Sequence, residues 1–200
     1  MSAERSRTAR EYGLVAAELG DSASQTLMVA LLPVLLVPLA PSAVWIGAVI
    51  ALEGVAAMLV PYIIGGLSDS LPPAIVRRFG RRNTFILLSA PIMAATVVAA
   101  PFLGDFRLLA ATAFLYFLAL HAMNAPHLAL LIDLSPEDRW GHVQGYLGSL
   151  HALGLGYGLV ASGLLFSAWP PLPFLIAAVL ILVTTGVTFW ATPEDRAAPD

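Results

Sequence analysis

Long apolar runs, interrupted by short polar or proline-rich breaks, fill the chain from residue 12 to residue 191. A helix crossing the hydrocarbon core needs about 20 mainly apolar residues. Six runs meet that length: 12–39, 43–67, 83–104, 107–132, 142–168 and 171–191. Ala40-Pro41-Ser42 separates the first two, and Gly104-Asp105 separates the third from the fourth. Trp169-Pro170-Pro171-Leu172-Pro173 divides a long uncharged stretch, because prolines this dense cannot continue a helix. The pattern predicts an all-α integral membrane protein with six transmembrane helices in one bundle. Residues 1–11 and 192–200 are read as tails, the second (PEDRAAPD from Pro193) as disordered. Pro33 and Pro38 predict a kinked first span.

Composition supports lipid as the solvent. Hydrophobic residues make up 58% of the chain and charged residues 12%, with a mean hydropathy of +0.83. Soluble domains run near half apolar and a quarter charged. The absence of cysteine excludes disulfides, thiolate catalysis and cysteine metal sites. All ten basic residues are arginine, which we read as coding bias rather than chemistry. Their placement sets an orientation. Arg5, Arg7 and Arg10 precede the first span, and Arg77, Arg78, Arg81 and Arg82 lie between the second and third. Arg139 lies between the fourth and fifth, and Arg196 follows the last. Arg107 alone falls on the other side, so the positive-inside bias predicts cytoplasmic termini, in a bacterial inner membrane. The N-terminus lacks the short apolar core and small-residue cleavage site of a signal peptide and reads as a retained tail.

Ionisable residues inside spans are costly and mark pathways or partners. Glu18, Asp21 and Gln25 share one face of the first span, and Glu53 lies ten residues into the second. Such carboxylates could bind a proton or a sodium ion. His121, Asn124 and His127 recur every three residues on the fourth span, and His151 lies on the fifth. They suit proton relay or hydrogen bonding to a solute, or plain interhelical hydrogen bonds. No carboxylate stands at ligand spacing from these histidines, so no metal site is expected. No nucleophile–base pair or phosphate loop appears either, so no catalytic residues, enzymatic activity, organic cofactor or nucleic-acid partner are expected. On the fifth span, Gly141/Gly145 and Gly154/Gly158 fit small-xxx-small helix packing. Trp45, Trp140, Trp169 and Trp190 lie near span ends, as interfacial anchors should.

Between the second and third spans stands Gly65-Gly66-Leu67-Ser68-Asp69, then an insert, then Gly80-Arg81-Arg82. This G-x-L-S-D…G-R-R pattern resembles the signature loop of the major facilitator superfamily. The insert Ser70–Arg78, and the patches Asn124-Ala125-Pro126-His127 and Leu131-Ile132-Asp133-Leu134-Ser135-Pro136, are similar to the sucrose and glycoside–cation symporter branch. The resemblance implies a gating loop formed by Gly65, Asp69, Gly80, Arg81 and Arg82, with Asp69 and Arg81 as a clasp. It also implies that acidic residues of the first two spans bind the coupling cation, as Glu53, Asp21 and Glu18 would. Gln25, His121, Asn124 and His127 would then face a small polar solute, conceivably a sugar. Family members pair two six-span bundles around a central site, and this chain carries one. The expectation is a half-size secondary transporter that works as a homodimer or with a second six-span polypeptide. The rival is a non-transporting scaffold or an inactive truncated transporter.

Overall fold

The computed structural model describes residues 10–192, the side chain of Asp69 excepted, so both outer tails lie outside the described residues. The described chain is helical throughout. Its helices are α1 (Arg10–Leu36), α2 (Ala43–Asp69), α3 (Pro73–Phe79), α4 (Arg81–Phe102), α5 (Phe106–Leu134), α6 (Glu137–Ala168) and α7 (Leu172–Ala191). All but α3 are long and apolar enough to cross a membrane. The first helix stops at Leu36 rather than at residue 39, so Pro33 lies inside it and Pro38 beyond its end. Short α3 occupies the insert. Pro73 opens it, where a missing amide hydrogen costs nothing, and Gly80 closes it at φ 90°, a left-handed conformation suited to glycine.

Helix α1 packs against α6 and α7, α4 lies against α5 and α7, and α2 lies against α5. The apolar window of α1 is 61% buried, whereas those of α2 and α6 are each 17% buried. The first helix is therefore the axis of the bundle, and α2 and α6 are its open flanks. Lipid offers no hydrophobic drive between helices, so close packing and polar ties set this order. A methyl group on Gly20 would meet the α7 backbone nitrogen of Ile181 at 2.9 Å, so α1 and α7 touch there nearly backbone to backbone. Tyr116, Phe117, Met28, Leu32, Met93 and Phe174 fill the centre.

Near its start α1 is interrupted by a turn at Ala16, and α7 supplies the cause. The Thr188 hydroxyl donates to the Gly13 carbonyl at 3.0 Å and accepts from the Ala17 amide at 2.9 Å. Gly13 and Ala17 are the i and i+4 partners of an ordinary helical bond, so a side chain has entered the ladder. Thr188→Val removes both bonds and leaves the buried Ala17 amide unpaired, at about 1–3 kcal/mol, while the Gly13 carbonyl keeps its bond from the Ala16 amide at 3.3 Å. A thermal midpoint lowered by several degrees in detergent is the expected result. An unchanged midpoint would show that α1 closes the gap itself.

One end of the bundle is tied by charge. Arg139 makes two hydrogen bonds to Glu11, at 2.9 and 2.8 Å. Arg82 pairs with Asp133 at 3.4 Å and reaches the Ser68 hydroxyl at the same distance. The Asn83 amide donates to the Thr192 hydroxyl at 2.9 Å. These contacts gather the starts of α1, α4 and α6 and the ends of α2, α5 and α7 at one side.

Candidate functional site

Because α1 is central, one polar face of it meets three other helices. Glu18 faces α6, where its Oε1 lies 2.7 Å from Nδ1 of His151. Asp21 faces α5, where the Asn124 side chain lies within interaction range of its carboxylate. Gln25 faces α2 and donates through Nε2 to Oε1 of Glu53 at 2.9 Å. The three positions expected to share a face do so, but each acid takes a different partner.

Asp21 is the most deeply placed of these acids, at 3% exposure, and its Oδ1 has no hydrogen-bond partner among the described residues. Glu18 lies within electrostatic range of it. Tyr116, fully buried on α5, senses both Asp21 and Glu53. Its hydroxyl is already committed, donating to Ser24 Oγ at 2.9 Å, while Ser24 donates to the Asp21 backbone carbonyl at 3.0 Å. Ser24 and Tyr116 escape a sequence reading because nothing in the order of residues pairs positions 24 and 116. His151, on the fifth span, becomes the close polar partner of Glu18. It is half exposed, whereas Glu18 is nearly enclosed.

The histidines of α5 part company. His121 is half-buried within reach of the Glu53 field, and its Nε2 has no described partner. His127 is 1% exposed and its Nε2 lies 3.1 Å from the Leu14 carbonyl of α1. That corrects the expectation that His127 faces solute. It sits at the interrupted turn of α1 as an interhelical tie. Among the described residues, no group of three His, Asp or Glu is placed to hold a metal ion.

The glycine motifs also divide. A methyl on Gly154 would meet the Ala23 amide nitrogen at 2.7 Å, and one on Gly158 the Leu27 amide nitrogen at 2.8 Å, so both glycines seat α6 on α1. Gly141 and Gly145 have nothing within 4 Å and pack no helix of this bundle, because they lie on the open flank of α6. A π turn, Tyr157–Ala161, widens α6 beside the Gly158 contact.

At the loop, α2 runs on through Gly65 and Gly66 to Asp69, and neither glycine has a neighbour within 4 Å. The helix therefore runs two residues past the expected end of the second apolar run at residue 67. Arg82 holds the loop to α5 through Asp133 and Ser68. The Asp69 half of the clasp with Arg81 lies outside the described side chains. Gly80 takes its place by its left-handed φ at the α3–α4 junction.

A search of curated proteins returns no match. The family model described as Major Facilitator Superfamily matches residues 14–200. That match takes in all but the first turn of α1 and the whole of the other five membrane helices. With six apolar helices around buried acids, the chain belongs to the major facilitator superfamily, a family of membrane transporters.

Proposed function

We propose that this bundle is one wall of a cation-coupled secondary transporter for a small polar solute. The carrying observation is the acid set on α1 and α2: Asp21 with a buried oxygen lacking a donor, Glu53 on Gln25, and Glu18 on His151. Carboxyl groups held this deep need a compensating cation or proton. In this reading Glu53 and Asp21 bind the coupling proton or sodium ion, with Glu18 beside them. Gln25, His121 and Asn124 face the solute path. Arg82, Arg81 and the α2–α4 loop gate the end that the positive-inside bias assigns to the cytoplasm.

The second wall is supplied by another six-helix bundle packed against this one. Support comes from the open flanks. His151 is 47% exposed within a membrane helix, and lipid tails cannot satisfy an imidazole. The test is solute uptake into proteoliposomes under an imposed proton or sodium gradient, with labelled sugars, amines and amino acids as probes. Accumulation of at least one class, collapsing when an ionophore dissipates the gradient, is expected. Uptake of every class that ignores both gradients would contradict the coupling.

A further inference from the structure

We propose that short α3 is a docking surface for anionic phospholipid, with Arg77 and Arg78 gripping the headgroup phosphate. The proposal rests on the membrane-spanning fold and is independent of the transport reading. Its first ground is where the chain must hold α3. At 27 residues, α2 is about 40 Å long, so it outruns a hydrocarbon core of about 30 Å and ends among the headgroups. Ser70, Leu71 and Pro72 join it to α3, a tether of at most about 14 Å. Gly80 alone separates α3 from α4, itself a membrane helix. Held at both ends, α3 lies at the membrane surface.

The second ground is what α3 presents there. None of its residues is buried, and its main packing partner is α4, the next helix in the chain. Ile75, Val76 and Phe79 are half-buried and share one side of the helix, with exposed Arg77 and Arg78 flanking them. A helix of this kind lays its apolar side on the acyl boundary while its arginines reach the phosphates. The Arg78 guanidinium lies 5.1 Å from the Phe79 ring centroid, so the ring holds it beside the apolar side. Neighbouring arginines are committed within the protein, Arg82 to Asp133 and Arg139 to Glu11. Among the described residues, no carboxylate pairs with Arg77 or Arg78. The exposed acids Glu137 and Asp138 stand before α6 and form no ion pair with α3, so the attraction belongs to α3 rather than to the whole end. Guanidinium matches phosphate through parallel N–H bonds. Two adjacent fixed cations favour a phosphate that carries no ammonium group of its own, as in phosphatidylglycerol, over the zwitterion of phosphatidylcholine.

The experiment titrates the full chain in mild detergent with phosphatidylglycerol or phosphatidylcholine of matched acyl chains and counts retained lipid by native mass spectrometry. Each arginine near an anionic surface contributes about a fivefold gain, so phosphatidylglycerol should bind about 25-fold more tightly than phosphatidylcholine. Either single variant, Arg77→Gln or Arg78→Gln, should cut that preference to about fivefold, and the double variant should remove most of it. Arg107→Gln, exposed at the opposite end of the bundle, should leave it unchanged. In pure phosphatidylcholine nanodiscs the double variant should keep its thermal midpoint within about 1 °C, as a neutral surface change does. A clear fall there would mean that the arginines hold the fold rather than a lipid, and would overturn the site. Equal affinity for the two lipids, or a preference untouched by the double variant, would overturn it as well. Displacement of the lipid by equimolar glycerol 3-phosphate or inorganic phosphate would also do so, by revealing a site for soluble anions.

Discussion

Gly158→Leu is expected to push α6 off α1 and lower the thermal midpoint in mild detergent by on the order of 10 °C, or to prevent folding. The obstacle is backbone. A methyl there already meets the Leu27 amide nitrogen at 2.8 Å, and the remaining leucine atoms would add to it. Gly154→Leu meets the Ala23 nitrogen at 2.7 Å and should behave alike. Both seats lie beside the acid face of α1, so widening them also separates His151 from Glu18. Gly145→Leu is the matched comparison, since nothing lies within 4 Å of Gly145. Its midpoint in the isolated bundle should move by less than about 1 °C, the range of a neutral surface change. Equal losses at Gly145 and Gly158 would mean that α6 packs by a different face.

Glu53→Gln is expected to leave the fold intact and to cut gradient-driven uptake by about 10- to 100-fold. The glutamine amide can still accept from Gln25 Nε2 through its own oxygen, so the α1–α2 tie survives. What goes is the negative charge, and a hydrogen bond to a charged group contributes about 1.5–3 kcal/mol, a factor of roughly ten to a hundred in affinity. Proteoliposome uptake should then lose its dependence on the gradient while solute exchange at equal concentrations persists. Retained gradient dependence would move the coupling group to Asp21 or Glu18. Glu53→Ala is a poorer test because it also strands Gln25.

The fold was legible because its signals are local. Prolines at 41, 170, 171 and 173 and the Gly104-Asp105 pair fall in or beside helix breaks, and each apolar run has the length that lipid demands. For the candidate site the sequence offers residue types but not their pairings. Helical phase put Glu18, Asp21 and Gln25 on one face, but phase says nothing of which neighbour faces each one. That depends on α1 being central, a property of packing order. The same gap explains the glycines. Gly141/Gly145 and Gly154/Gly158 carry one motif, yet only the second pair looks toward α1. His127 was misplaced because a buried histidine at a helical turn and a solute-facing one have the same spacing. Thr188, whose hydroxyl repairs the ladder of α1, looks in sequence like any threonine of a membrane helix.

The central claim is that this bundle forms one wall and requires another. Native mass spectrometry of the chain released from lipid nanodiscs, prepared directly from its own membrane, tests it most directly. The account predicts a species at twice the 21.1 kDa chain mass, or a complex with a second membrane chain of comparable size. A population that remains at the single-chain mass throughout would contradict it.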